Sequence, residues 1–242
     1  MLVNDNFLYL NLPRSASTSF TISCLKRNIK LKHFNKVVDD SQSKINLQLD
    51  NETIADSILH NHEGIIVLNE KFGTEYDIIS VKRDKYERWI SIWKHCIDEI
   101  HKIGDKKTYE KLITLTEDDV LDFDSNMIAS YNLFERDKLI ENFIDKYELN
   151  KENKYLTIIF SILFTPFSHY HNFDKRIKWF DFDKLFELEE WVSDRLKLNF
   201  KLEKINSSQH FDCKIYLTDN FKKKYNQIFD RYDNPKLNKT FI

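Results

Sequence analysis

Three glycines and three prolines punctuate a chain of 242 residues. That scarcity excludes a flexible linker built from them, and no GxxxxGK[ST] phosphate loop exists anywhere, which disfavours an ordinary P-loop ATPase or GTPase. Cysteine is nearly as rare. Cys24, Cys96 and Cys213 are odd in number and lack CxxC spacing, so neither a disulfide framework nor a zinc site is expected, and the thiols read as reduced and partly buried. Charge of one sign is missing too: 37 basic side chains stand against 39 acidic ones, a formal net charge of −2. Without a basic excess, nucleic acid is not an expected partner. Long hydrophobic runs are also absent. The most apolar stretch, Tyr155 to Phe167, is too short to span a bilayer and reads as buried core. The first residues, MLVNDNFLYLNLPR, show no positive region ahead of an apolar one, so a cytoplasmic chain without signal peptide or membrane anchor is expected.

What is present is material for a core. Hydrophobic residues make up 41% of the chain, with 19 Phe, 11 Tyr and 4 Trp, enough to bury a substantial apolar interior. No shift in composition separates two halves, and a single domain over residues 1–242 is expected. Phe7 to Leu12 is short, apolar and β-prone; it runs through PRSASTS into a helix-like segment reaching about Asn28. Tyr76 to Val81 is a second strand-like run, and its charged tail leads into another helix. There, Trp89, Ile92, Trp93, Cys96, Ile97 and Ile100 fall at the spacing of one helix face. Further helices are expected over Tyr131 to Tyr147, Leu185 to Leu196 and Thr218 to Tyr232, and a late strand over Arg176 to Phe182. Strands alternating with helices predict an α/β fold whose central sheet is mostly parallel and flanked by helices.

In such sheets ligands bind beyond the carboxyl ends of the strands, where loops enter helix N-termini. Pro13-Arg14-Ser15-Ala16-Ser17-Thr18-Ser19 sets backbone N–H groups, hydroxyls and one guanidinium at a helix start, which suits a phosphate or sulfate. Pro and Ser/Thr also begin many helices without any ligand. At the second strand end Arg83 and Ser91 lie eight residues apart across the turn RDKYERWIS. Arg offers a planar fork for a phosphate and Ser a hydroxyl donor; alternatively they are a capping-turn arginine and a serine on a helix flank.

Taken as a pair, these segments resemble the sulfotransferases that use 3′-phosphoadenosine 5′-phosphosulfate. PRSASTS is similar to their 5′-phosphosulfate loop, and VKRDKYERWIS to their 3′-phosphate motif RDPxxRxxS. The resemblance implies a P-loop-like three-layer fold and a donor, 3′-phosphoadenylyl sulfate (PAPS), that leaves as 3′-phosphoadenosine 5′-phosphate (PAP), with no metal required. It implies that Arg14, Ser15, Ala16, Ser17, Thr18 and Ser19 hold the 5′-phosphosulfate, and Arg83 and Ser91 the 3′-phosphate. The chain departs from the pattern at three places. Ala16 stands where the loop has glycine and can follow it with negative φ; Arg14 stands where it has lysine; Lys85 replaces the motif's proline. Arg14 can stabilise a leaving phosphate but cannot donate a proton, since its pKa exceeds ~12.

Between the motifs, His60-Asn61-His62 is similar to the HGH segment of the uronyl and heparan 2-O-sulfotransferases. That resemblance implies His62 as the base taking a sugar hydroxyl's proton, with His60 beside it; Glu63 and His33 are the alternatives. A histidine pair at i, i+2 can also ligate metal or serve the loop alone, but no third and fourth ligands are apparent. His169 and His171 are candidates to line an acceptor site or to act structurally. Lys204 to Ser208 (KINSS) resembles a segment that closes over the donor. The expected activity is transfer of a sulfuryl group to a carbohydrate-like hydroxyl acceptor. Its rivals are a degenerate fold that binds nucleotide or glycan without turnover and a nucleotide-dependent, kinase-like phosphotransferase.

Overall fold

The computed structural model describes residues 1–32, 37–38, 64–121, 136–165, 167–204 and 217–233. The chain divides into two compact units, each assembled from separate stretches: Met1–Asp84 with Tyr170–Ile205, and Lys85–His169 with Asn206–Ile242.

The first unit is built on a six-stranded sheet. Its strands are β1 (Leu2–Val3), β2 (Phe7–Tyr9), β3 (Leu31–Lys32), β4 (Val37–Val38), β5 (Asp77–Lys82) and β6 (Ile177–Asp181), in the spatial order β4-β3-β1-β2-β5-β6. Only β2, β5 and β6 run parallel; β1, β3 and β4 pair antiparallel. The sheet is therefore mixed, not mostly parallel. Strands of two residues leave no readable period, and β1 turns directly into β2. That hairpin has a three-residue connection between the partners Val3 and Phe7, in which Asn4 and Asp5 have φ 48° and 53° and Asn6 N–H donates to the Val3 carbonyl at 2.9 Å.

Among the described residues this unit has three helices: α1 (Ser17–Lys26), α2 (Ile65–Phe72) and, following β6 and a short 3₁₀ turn at Phe182–Lys184, the helix Leu185–Leu196. Phe20 and Cys24 of α1 and Leu188 and Val192 of the last helix form one core with Val3, Phe7, Tyr9, Ile79, Val81 and Phe180 of the sheet. Each helix contributes apolar positions four apart, the spacing of one face. All of β2 is buried, as a central strand covered on both faces must be. Tyr9 stacks on Phe20 with ring centroids 3.9 Å apart, and burial pushes the Tyr9 phenol far above its ordinary pKa. The Cys24 thiol is likewise pushed up to about 12 by burial. Cys24 and Cys96 are buried thiols that form no disulfide among the described residues; Cys213 lies outside the described residues.

Among the described residues the second unit is helical. It comprises α3 (Lys85–Lys102), α4 (Lys106–Leu112), α5 (Glu117–Val120), α6 (Arg136–Lys146), α7 (Lys154–Leu163) and the late helix Asp219–Asp233. The expected face of α3, Trp89 to Ile100, is buried against Phe143 of α6, Phe160 of α7 and Phe221 of the late helix. Two starts are capped: the Asp105 side chain accepts the Thr108 N–H, and Thr116 and Asp119 form a reciprocal box. The run read as buried core, Tyr155 to Phe167, falls mostly in α7, where Leu156, Phe160 and Leu163 are buried, and Phe164 just after it is buried too. No helix among the described residues is long and apolar enough to cross a membrane.

A one-turn helix, α8 (Phe167–His171), precedes β6, which makes Leu185–Leu196 α9 and Asp219–Asp233 α10. After it the chain turns tightly: Asn172 and Phe173 have φ 43° and 52°, and Asp174 N–H donates to the His171 carbonyl at 2.9 Å. The His171 ring closes this turn by accepting the Phe173 N–H at Nδ1, 3.0 Å away, with edge-on contacts to Phe173 and Trp179. Burial lowers its pKa to about 4, so the ring is neutral in the folded protein at neutral pH. The unfolded chain protonates near its ordinary value of ~6.5, and between the two values it binds the extra proton. This contribution to stability is complete above ~6.5 and is lost as pH falls towards 4, at no more than about 1.4 kcal/mol per unit. Urea midpoints at pH 7 and pH 4.5 should therefore fall further for the wild type than for His171→Asn; equal falls would show that the ring is not held neutral.

Candidate functional site

The site begins with the end of β2. Beyond Tyr9, Leu10 continues the pairing, its N–H donating to the Ile79 carbonyl at 2.9 Å. The buried Ser80 hydroxyl then donates to the Leu10 carbonyl at 2.8 Å. The chain leaves the sheet through Asn11, Leu12 and Pro13, all buried. Ser15 N–H donates back to the Leu12 carbonyl at 3.2 Å, and the Tyr9 hydroxyl reaches the Ser15 carbonyl at 3.4 Å. The resulting loop sits at the carboxyl edge of the parallel strands, where a ligand site is expected.

Helix α1 starts without a cap. Its N-cap residue is Ala16, which has no side-chain acceptor to offer. The first intrahelical bond is Phe20 N–H to the Ala16 carbonyl at 2.9 Å. The N–H groups of Ser17, Thr18 and Ser19 have no acceptor among the described residues. Orphan donors at a helix start are normally met by a cap, water or a ligand, and the helix dipole favours an anion there. A second deficit lies beside them. The Ser15 hydroxyl is buried, with the residue 1% exposed, and makes no hydrogen bond, which costs about 1–3 kcal/mol if nothing occupies the loop. Thr18 is exposed and Ser19 half-buried. A doubly charged group with several acceptor oxygens fits this donor set.

The loop's backbone corrects the expectation for Ala16. Its φ is +62°, not negative, and Arg14 is at +60°. The chain keeps the left-handed shape that a glycine would give and tolerates the Cβ, at about 1–2 kcal/mol for each such residue.

Arg83, immediately after β5, comes to the same loop. Its guanidinium donates through an Nη to the Arg14 carbonyl at 3.4 Å, and its central carbon lies 4.4 Å from the centroid of the Phe182 ring. The two expected motif ends thus meet within the first unit. Lys82 pairs with Asp181 at 3.1 Å across the neighbouring strand ends. At the opposite edge of the strands, arginines serve structure. Arg195 is held by Asn6 and Asp77, and Arg176 by Asp174, Asn69 and the Thr74 carbonyl.

No family model matches this chain, nor does any curated protein or solved structure.

Other expected residues fall elsewhere. Ser91 is half-buried on α3 in the second unit. Lys85, the replacement for proline, is the first residue of α3; its ammonium donates to Asn226 Oδ1 at 2.7 Å, as does the Tyr86 hydroxyl at 2.9 Å. His60, His62, Glu63 and His33 lie outside the described residues, as does KINSS beyond Lys204. His169 is exposed at the end of the second unit's stretch, whereas His171 closes a turn and its acceptor nitrogen is already used. Sequence reasoning missed Phe182 and Ser80. Neither carries charge, and only the strand register Lys82↔Asp181 shows that residues 83 and 182 leave the sheet side by side.

Replacing Ala16 with Gly should remove the Cβ cost while adding some unfolded-state entropy. The expected net gain is up to about 1 kcal/mol, or a rise of about 2–4 °C in Tm. A loss of stability in thermal melts would mean that residue 16 does not hold a positive φ.

Proposed function

We propose that this chain is a sulfotransferase with a P-loop-like three-layer fold, moving a sulfuryl group from PAPS to a hydroxyl of a carbohydrate-like acceptor. The observation that carries the reading is the coincidence of three uncapped N–H groups with the buried, unpartnered Ser15 hydroxyl. Arg83 reaches the same loop.

In this reading the amides of Ser17, Thr18 and Ser19, with the hydroxyls of Ser15 and Thr18, hold the 5′-phosphosulfate. Arg83 grips the 3′-phosphate as a planar cation, a group that ATP lacks at that position; Ser91 is retained as its partner from the motif alone. The acceptor oxygen forms its bond to sulfur as the bond from sulfur to the bridging oxygen breaks. Arg14 and the helix-start amides stabilise the charge gathering on that oxygen, the largest contribution such a site makes. The acceptor's proton passes to His62, with His60 the neighbouring alternative, and PAP leaves.

A second reading is favoured by one observation. Arg14 and Ala16 both place a Cβ on left-handed backbone where the anion comes close, which suits a degenerate member that binds nucleotide or glycan without turnover.

Calorimetric titration without Mg²⁺ separates these readings. Micromolar binding of PAP, about −8 kcal/mol, is expected, with AMP and ATP much weaker. Arg83→Ala should lose at least about tenfold in PAP affinity. No PAP binding, or a preference for ATP with Mg²⁺, would overturn the donor assignment. Turnover on hydroxylated acceptors that His62→Gln abolishes supports the base; full activity in that variant removes it. Donor binding without turnover on any acceptor selects the degenerate reading.

A further inference from the structure

We infer that Tyr9 is the positioning residue of the anion loop: its hydroxyl locks the peptide between Ser15 and Ala16 so that an N–H, not a carbonyl, faces the bound 5′-phosphate. This rests on the donor reading above. Tyr9 closes β2 and is fully buried. Its hydroxyl donates to the Ser15 carbonyl at 3.4 Å and has no other partner among the described residues. Its ring stacks on Phe20, with centroids 3.9 Å and planes 5° apart. Phe20 in turn makes the first bond of α1, to the Ala16 carbonyl. One side chain on the sheet therefore holds the loop on both sides of Ala16, whose backbone is left-handed. Strained conformations persist only where their surroundings over-determine them.

What the lock prevents follows from peptide geometry. The peptide is trans, so its carbonyl and its N–H point in opposite directions. With the Ser15 carbonyl turned to the buried phenol, the Ala16 N–H points away from it, and that N–H has no acceptor among the described residues. A left-handed residue followed by right-handed helical ones turns successive N–H groups towards one concavity, an arrangement that binds anions. Ala16 thus adds a fourth amide to those of Ser17, Thr18 and Ser19, beside the buried Ser15 hydroxyl that lacks a partner. Alanine can escape its strain by a half-turn of this peptide plane, which makes its φ negative. The same half-turn swings the Ser15 carbonyl to where the N–H had been, and its partial negative charge would then repel the anion. It would also cost the Tyr9 hydroxyl its hydrogen bond in the core. Burial pushes the phenol far above its ordinary pKa, so the hydroxyl keeps its proton and remains a donor.

Calorimetry with PAP and with adenosine 3′-monophosphate, which lacks the 5′ group, reads the lock in the wild type, Tyr9→Phe, Ala16→Gly and the double variant. Tyr9→Phe keeps the stacked ring and should lose about 5- to 30-fold in PAP affinity, the bias that relief of one left-handed alanine supplies. Its affinity for adenosine 3′-monophosphate should stay within about twofold. Made on top of Ala16→Gly, where left-handed backbone carries no Cβ penalty, the same change should cost less than about threefold. In the wild type alone, the Ala16 amide proton should move downfield in NMR spectra as PAP saturates; an unmoved resonance overturns the inference without any variant. If the wild type prefers PAP and Tyr9→Phe keeps that preference in full, the positioning role is overturned and the donor reading stands. Equal losses of both nucleotides, or an undiminished loss on the Ala16→Gly background, also overturn it, since the hydroxyl would then serve packing and not the peptide plane. A wild type that binds PAP no tighter than adenosine 3′-monophosphate overturns the donor reading itself, and the inference with it.

Discussion

Parallel pairing of β2 with β5 places everything else at the site. β2 is only three residues long and is entirely enclosed, so its register is held by burial on both faces and by a pin at its end. That pin is the Ser80 hydroxyl on the Leu10 carbonyl, at a point where the sheet no longer supplies a donor. A slip of one residue would turn Tyr9 away from Phe20 and carry Ser80 into the apolar layer formed by α1 and α9. With the register held, the chain after Leu10 and the chain after Lys82 leave the sheet side by side. Arg83 then meets the Arg14 carbonyl, and β6, parallel to β5, brings Phe182 under the guanidinium.

The parts of this arrangement that were legible in the sequence are those with a long period or a run of apolar residues. The face of α3 could be read residue by residue, and α9 spans Leu185–Leu196 as its pattern predicts. β5 and β6 each lie within a residue or two of their apolar runs. The antiparallel half of the sheet was not legible, because β1, β3 and β4 have two residues each and a period of two needs more than that to show. The anion loop was found by residue type alone. Its conformation was misjudged, because the preference of alanine for negative φ is a local rule and the loop is fixed by tertiary contacts on both sides: Tyr9 to the Ser15 carbonyl and Arg83 to the Arg14 carbonyl. Phe182 was invisible for a different reason. Its contact with Arg83 depends on strand order, and strand order is not written in any local pattern.

Left-handed backbone by itself does not mark the site. Among the described residues nine non-glycine positions have positive φ, in a chain with three glycines, so the protein habitually makes such turns without glycine. At most of them the substitute is suited to the position. Asn4, Asp5, Asn28 and Asn172 are the residue types that tolerate this region best, and Asn28, Glu148 and Lys197 follow helix ends, where a left-handed residue is commonplace. Arg14, Ala16 and Phe173 have neither justification, although the Phe173 N–H is held by the His171 ring. Alanine has no side-chain group to hydrogen-bond its own backbone, and it stands at a helix start, where serine, aspartate or asparagine would both relieve strain and cap the helix. The chain thus forgoes a cap, leaves three amides and one buried hydroxyl unsatisfied, and carries strain, all within the five residues from Arg14 to Thr18 and their neighbour Ser19. Among the described residues ordinary devices serve several other places: a capping box at Thr116, an asparagine-rich hairpin, arginines paired with carboxylates. Among the described residues this loop combines strain with unsatisfied helix-start donors, and an occupant that accepts those donors offsets what the strained backbone costs.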